Sequence, residues 1–353
     1  MITKVMDVTG EPINIEHIKE ASQILKNGGL VAFPTETVYG LGGDATDKEA
    51  SRKIYQAKGR PSDNPLIVHI SKFEQLESIS SQLPETAKKL ADAFWPGPLT
   101  MVVNKNEVIP YETTGGLDTV AVRMPNNPVA LSLINESGCM IAAPSANTSG
   151  RPSPTKASHV YEDLAGKIDA ILDGGSVDIG LESTIVDLTE DVVTILRPGY
   201  INMEMLKEVV GEVKIDPGIV YNDKGTTSGA RPKAPGMRYK HYAPKGDLTI
   251  VSGEEQKVVS AINDMTATDM KNGKKVGIIA TAATAEKYTA GSILVIGNRD
   301  DEKSIAHNLY DILRQFDEIG VDIIYSESFA TPHIGQAIMN RLLKAAGQKT
   351  IEL

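Results

Sequence analysis

The sequence predicts an α/β protein: a twisted mixed sheet with helices over residues 1–211, then, past a linker at 212–246, a smaller doubly wound parallel sheet over 247–353. Three observations carry this reading. Helical stripes alternate with short β-branched runs before residue 212. Two of those runs, STIVDL and VVTILRP, are separated only by TED, which predicts a hairpin and so a sheet that is not purely parallel. After residue 246 strand and helix repeat cleanly, as consecutive βα units do.

In the first part, Ile15, Ile18, Ala21 and Leu25 form a helical stripe, and LVAFPT is the strand that follows. Residues 47–57 read as a second helix with Ala50, Ile54 and Ala57 toward the core. Ala87, Leu90, Ala91 and Phe94 form a third stripe ahead of the strand PLTMVV. TVAVRMP, MIAAPSA, AILDGG and the two hairpin runs complete the strands.

Residues 212–246 are rich in Gly, Pro, Ser and Lys without sustained periodicity, the composition of a linker. Their second half carries Arg231, Lys233, Arg238, Lys240 and Lys245 and no acid. A solvated spacer needs neither one-signed charge nor Tyr239 and Tyr242, so this segment is expected to close over a ligand. Beyond it, the strands LTIVSG, KVGIIAT, SILVIG and VDIIYSE alternate with helices. The longest helix gathers Ile305, Leu309, Ile312, Leu313 and Phe316 on one face, and a last one covers 334–346. This Rossmann-like part lacks a Gly-rich phosphate loop, so its fold alone does not make it a nucleotide site.

The chain has 353 residues and a net charge of −10. Its single cysteine, Cys139, sits in the apolar run SGCMIAAP, which favours packing over reactivity and excludes an internal disulfide framework. A reducing, cytoplasmic setting is expected. The segment MITKVMDVTGEP lacks the apolar core of a signal peptide, and no apolar run approaches the roughly 20 residues of a membrane span.

Four polar stretches end strand-like runs: PTETVYGLGGDA (34–45), KGRPSDNP (58–65), PSANTSGRPSP (144–154) and ARPKAPGMRYKHYAP (230–244). Cations concentrated at strand ends of an acidic protein point to a small anionic ligand. No GxxxxGK[ST], GxGxxG after a strand, HExxH or GxSxG occurs, so phosphate is handled by another route. Lys58 and Arg60 at a helix end could simply suit the helix dipole. Gly59 between them and PSDNPL after them instead describe an ordered loop, with Asn64 as a further donor, suited to a polyphosphate. Ser145 and Asn147 close a strand, with Ser153 beyond, and could equally be turn residues. Arg123 and Arg197 sit at the ends of apolar strands and need a carboxylate, of the protein or of a ligand. His69 reads more readily as a satisfied core histidine.

KGR at 58–60 with SAN at 145–147 resembles the paired K-x-R and S-x-N signature of the YrdC-like family. PTETVYGLG and PGMRYKHYAP extend the resemblance to the long two-domain form, almost from end to end. The resemblance implies a YrdC-like catalytic domain and a nucleotidyltransferase that makes L-threonylcarbamoyladenylate and pyrophosphate from L-threonine, bicarbonate or CO2, and ATP with Mg2+. Partner proteins would pass the product to an adenosine of tRNA, with at most weak tRNA contact here. It implies that Lys58 and Arg60 hold the triphosphate as the catalytic pair. Asn64, Thr119, Ser145, Asn147, Ser153, Arg197 and Tyr239 would complete the nucleotide contacts. Arg123 would take the threonine carboxylate, with Thr35, Thr37, His69, Ala143 and Ser183 around the amine and hydroxyl. An RNA-binding module of the same fold is the alternative, disfavoured by the acidic balance and by 5% aromatic residues. Carbamoyl transfer to another acceptor, as in larger relatives, would need extra zinc and acyl-phosphatase segments.

Overall fold

Helix Ile15–Lys26 begins where the Asn14 side chain accepts the N–H groups of Glu16 and His17, and it buries Ile18, Ala21 and Leu25. Helix Lys48–Lys58 is capped by Asp47, buries Ala50, Ile54 and Ala57, and stops at Gly59, whose φ of 61° is left-handed. That stop delivers Lys58 and Arg60 to the two sides of one tight turn. The computed structural model that shows this describes residues 2–220, Ala234, 241–329 and 333–353. Two compact units emerge: Met1–Ser149, Ser153–Asp178 and Glu182–Tyr239 form the first, and Lys240–Leu353 with Gly150–Pro152 and Ile179–Leu181 the second.

The first unit is built on one mixed sheet of 12 strands. Its order is Lys4–Asp7, Ala170–Asp173, Val31–Phe33, Gly40–Asp44, Ile141–Ala142, Ile67–His69, Thr119–Arg123, Leu99–Lys105, Thr184–Asp187, Val193–Arg197 and Val213–Ile215, with Ser80–Gln82 added beside Leu99–Lys105. The expected hairpin is present: Thr184–Asp187 and Val193–Arg197 pair antiparallel. Val213–Ile215 runs parallel to Val193–Arg197, inside the stretch that composition assigned to the linker. Three residues are too few for a period to show.

The second unit is a parallel sheet of five strands in the order Ser292–Gly297, Val276–Thr281, Ile323–Glu327, Asp247–Ser252 and Thr350–Glu352. Helices Glu255–Lys271, Glu302–Ile319 and Gly335–Ala345 serve its crossovers. The helix expected between Thr281 and Ser292 is only a 3-10 turn, Ala285–Lys287. Thr284 is occupied instead in bonds to Thr281 and Glu327, the competition that disfavours threonine in helices. The short edge strand Thr350–Glu352 carried no sequence signal.

Alternation sorts the central strands of the first unit into two faces. Val68, Val120, Val122, Met101 and Val103 join the main core. Ile67, Ala121, Val102, Ile185 and Leu196 form a smaller cluster on the other face, together with buried Ala234 from the 230–244 stretch. His69, Thr119 and Arg123 share the parity of this second face.

Gly199 shows how tightly the hairpin is held. A Cβ there would lie 2.4 Å from the Thr184 nitrogen and 2.8 Å from the Ser183 carbonyl carbon. Backbone atoms cannot swing aside as side chains can. Gly199→Ala should therefore lower unfolding stability by about 2 kcal/mol or more. Urea denaturation measures it, and an unchanged midpoint would mean that the 183–199 contact is loose.

Candidate active site

The sheet register brings distant residues into one row. His69 pairs with Arg123, Arg123 with Thr100, Thr100 with Ile185, and Ile185 with Arg197. Five strands contribute one residue each, so with about 4.8 Å between strands the Arg123 and Arg197 backbones lie roughly 14 Å apart. A bulge between Ile185 and Val186 shifts the register, leaving Arg197 opposite Ile185 while Ile195 points into the main core. The bulge thus aims Arg197 at the face that carries Arg123.

Arg123 is 4% exposed. Its Nη1 donates to Thr37 Oγ1 at 2.8 Å and its Nε to the Gly97 carbonyl at 3.4 Å. Thr35 Oγ1 contacts Thr37 Oγ1 at 2.9 Å, donates to the Val38 carbonyl and accepts the N–H groups of Thr37 and Val38, which fixes the turn. Between the two threonines Glu36 brings its carboxylate to 2.7 Å from Arg123 Nη2. Along the row, Ser183 Oγ lies 2.7 Å from Thr100 Oγ1 and accepts from Arg197 Nη2 at 3.2 Å, while Arg197 Nε donates to the Ser183 carbonyl.

His69 is fully sequestered, with its ring edge-on to Phe33 at 6.0 Å and Nδ1 3.2 Å from the Ile67 carbonyl. Burial, and then the neighbouring Arg123 charge, push its pKa down from 6.5 to about 3. The ring is a neutral wall at physiological pH.

The second group is organised by Lys58. Although 2% exposed, it turns its ammonium to the carbonyl oxygens of Ser145 and Asn147. Ser149 N–H returns to the Lys58 carbonyl at 2.9 Å, and Ser145 Oγ donates to Asn147 Oδ1 at 2.6 Å. Arg60 bends over its own loop, donating to the carbonyls of Asn64 and Pro65. Asn64 is buried, and its Oδ1 accepts no hydrogen bond among the described residues. Ser153 donates to Glu182 at 2.5 Å. Ala143 is buried and donates its N–H to the Ile67 carbonyl.

The 34–45 stretch joins the two groups, because Gly40 bridges to Ser145 and Leu41 N–H reaches the Pro144 carbonyl. Thr119 opens the strand that ends at Arg123, on the same face but about 13 Å away along the chain. Tyr239, with Arg231, Lys233, Arg238 and Lys240, lies outside the described residues. Three participants escaped the sequence reading: Glu36, Glu182 and Thr100. A glutamate between two selected threonines was the only available signal. Cys139 is half-buried, and burial pushes its thiol up to about 11, as an inert packing residue requires.

A family model described as "Telomere recombination" matches residues 23–199, and one for the "Threonylcarbamoyl-AMP synthase, C-terminal domain" matches 201–347. The threonylcarbamoyl-AMP synthase of Pyrococcus abyssi is 49% identical over 95% of this chain and 96% of its own. That of Bacillus subtilis is 46% identical over 98% of both. The chain belongs to the threonylcarbamoyl-AMP synthase family. A solved structure of Pyrococcus abyssi Sua5 complexed with L-threonine matches with a TM-score of 0.92 at 47% identity, covering 99% of this chain and 100% of that one. Family membership favours the synthase over the RNA-binding alternative.

The depressed His69 pKa has a measurable sign. The unfolded chain takes up a proton near pH 6.5 and the folded chain only near 3, so stability falls as pH drops through that window. This site alone should contribute a slope of about 1.4 kcal/mol per pH unit, and His69→Gln should remove it. Urea unfolding of both proteins from pH 7 to 4 checks it; parallel curves would contradict the assignment.

Proposed function

We propose that the chain is a nucleotidyltransferase in which the Arg123 group receives the carboxylate of L-threonine and the Lys58–Arg60 group the triphosphate of ATP. The observation that carries this is the pairing of the two groups through one segment, 34–45. A buried guanidinium beside small hydroxyls suits an amino acid with a side-chain hydroxyl. Lys58 and Arg60, two cations on either side of Gly59, suit phosphate oxygens.

On this reading the neutral amine of threonine adds to CO2 and gives up a proton to solvent, or condenses with bicarbonate with loss of water, to form a carbamate, whose oxygen attacks the α-phosphorus and expels pyrophosphate. The reaction asks for no protein nucleophile, and the inert Cys139 thiol is consistent with that. The chain supplies position and charge: Arg123 and the Thr35–Thr37 turn fix the amino acid, and Lys58 and Arg60 steady the departing charge. Asn64, Ser145, Asn147, Ser153, Thr119 and Arg197 are proposed nucleotide contacts, and His69, Ala143 and Ser183 the walls around threonine.

Among the described residues no cluster of three or more His, Cys, Asp or Glu side chains forms a metal cage. The donors at Lys58 and Arg60 fit anions, so Mg2+ is proposed to ride on the nucleotide's own oxygens, where it would neutralise phosphate charge. Tyr239, outside the described residues, is proposed to close over the adenylate. The product is proposed to pass to tRNA-modifying partners in the cytoplasm. Among the described residues no helix is long and apolar enough to cross a membrane.

The test is pyrophosphate release from ATP, which should require both L-threonine and bicarbonate. Arg60→Ala should lower turnover at least about tenfold, roughly 1.4 kcal/mol of barrier, with the fold intact. Lys58→Ala should cost activity and thermal stability together, because it strands the Ser145 and Asn147 carbonyls. Full activity in both variants would remove the phosphate role.

A further inference from the structure

Glu36 is a charged group for which the roles above give no use. It is 4% exposed, yet among the described residues neither carboxylate oxygen accepts a hydrogen bond. A carboxylate taken out of water ordinarily collects several donors, and leaving one unsatisfied is costly. Arg123 Nη2 is 2.7 Å away, but it too makes no hydrogen bond, while Nη1 and Nε are committed to Thr37 and Gly97. The two charges touch without their N–H and lone-pair directions meeting. One unspent donor and one unspent acceptor therefore stand side by side in a buried turn.

A ligand that satisfies both must bring acceptors for Nη2 and donors for Glu36 at nearly the same place. Phosphate brings only acceptors, and a simple amine only donors. An α-amino acid carries a carboxylate and an ammonium on one carbon, at the spacing of a touching ion pair. We propose that Glu36 is the receptor for the α-ammonium of the amino-acid substrate, with Arg123 taking its carboxylate. The zwitterion enters by exchanging one internal ion pair for two, and no net charge is added to a buried site. Glu36 is then a specificity-determining residue, since a carboxylic acid without the amine would set its charge against that of Glu36. This rests on the reading of L-threonine as the substrate.

Calorimetry on the full chain tests it with two ligands, L-threonine and 3-hydroxybutanoate, which is the same molecule without the amine. Wild type should bind L-threonine and hold 3-hydroxybutanoate at least about tenfold more weakly. Glu36→Gln should lose at least about tenfold in L-threonine affinity while binding 3-hydroxybutanoate as well as wild type or better. Glu36→Asp should keep the discrimination at reduced affinity, and a non-hydrolysable ATP analogue should bind all three within about twofold. Equal weakening of both acids in Glu36→Gln would reduce Glu36 to a prop for Arg123 and overturn the assignment. A wild type that binds the nucleotide but not L-threonine would overturn the substrate reading itself.

Discussion

A guanidinium sealed into the middle of a β-sheet is the constraint on which the rest of the first unit's face depends. Arg123 ends a strand flanked on both sides, so its charge cannot reach water along the sheet. Burying it is tolerable only with partners at hand. The chain supplies them from separate places: Glu36 and Thr37 from one turn and the Gly97 carbonyl from a loop. The same loop is tied back by Gly97 N–H to the Met124 carbonyl, next to Arg123 itself. Turn, loop and strand end are therefore mutually fixed, so the carboxylate receptor proposed at Arg123 would stand ready before any ligand arrives.

The second cation works in the opposite sense. Lys58 turns its ammonium to the Ser145 and Asn147 carbonyls and so shapes the 145–149 turn as well as carrying charge to it. Arg60, half-buried, keeps the more accessible position. What couples the two proposed receptors is backbone: the 34–45 segment turns at Thr35–Thr37 and then pairs with the strand end at Pro144 and Ser145. For a reaction proposed to need no protein nucleophile, a fixed separation between amino acid and triphosphate is the principal catalytic resource.

Much of this was legible in sequence. Helix Lys48–Lys58, the Thr184–Arg197 hairpin and the parallel C-terminal sheet follow from periodicity and spacing alone. Lys58, Arg60, Arg123 and Ser145 could be selected because charge and hydroxyls at the ends of apolar strands are conspicuous, whereas Thr35, Thr37, Thr119, Ala143 and Ser183 entered only through the family resemblance. The row that joins His69, Arg123, Thr100 and Arg197 could not be read, since it depends on a strand order that departs from chain order. Nor could Glu36 be singled out: a lone glutamate in a polar run looks solvated until the fold buries it. The re-aiming of Arg197 depends on a one-residue bulge, and strict alternation would have turned that side chain into the core.

The Arg123 group is proposed to be a preformed carboxylate receptor, separate from the phosphate receptor. The most direct measurement is calorimetric binding of L-threonine and of an ATP analogue, each alone, to Arg123→Lys. Lysine keeps the charge beside Glu36 but loses the planar fork of donors. At least about a tenfold loss is expected for L-threonine, with nucleotide affinity within about twofold of wild type. Equal losses for both ligands would contradict it.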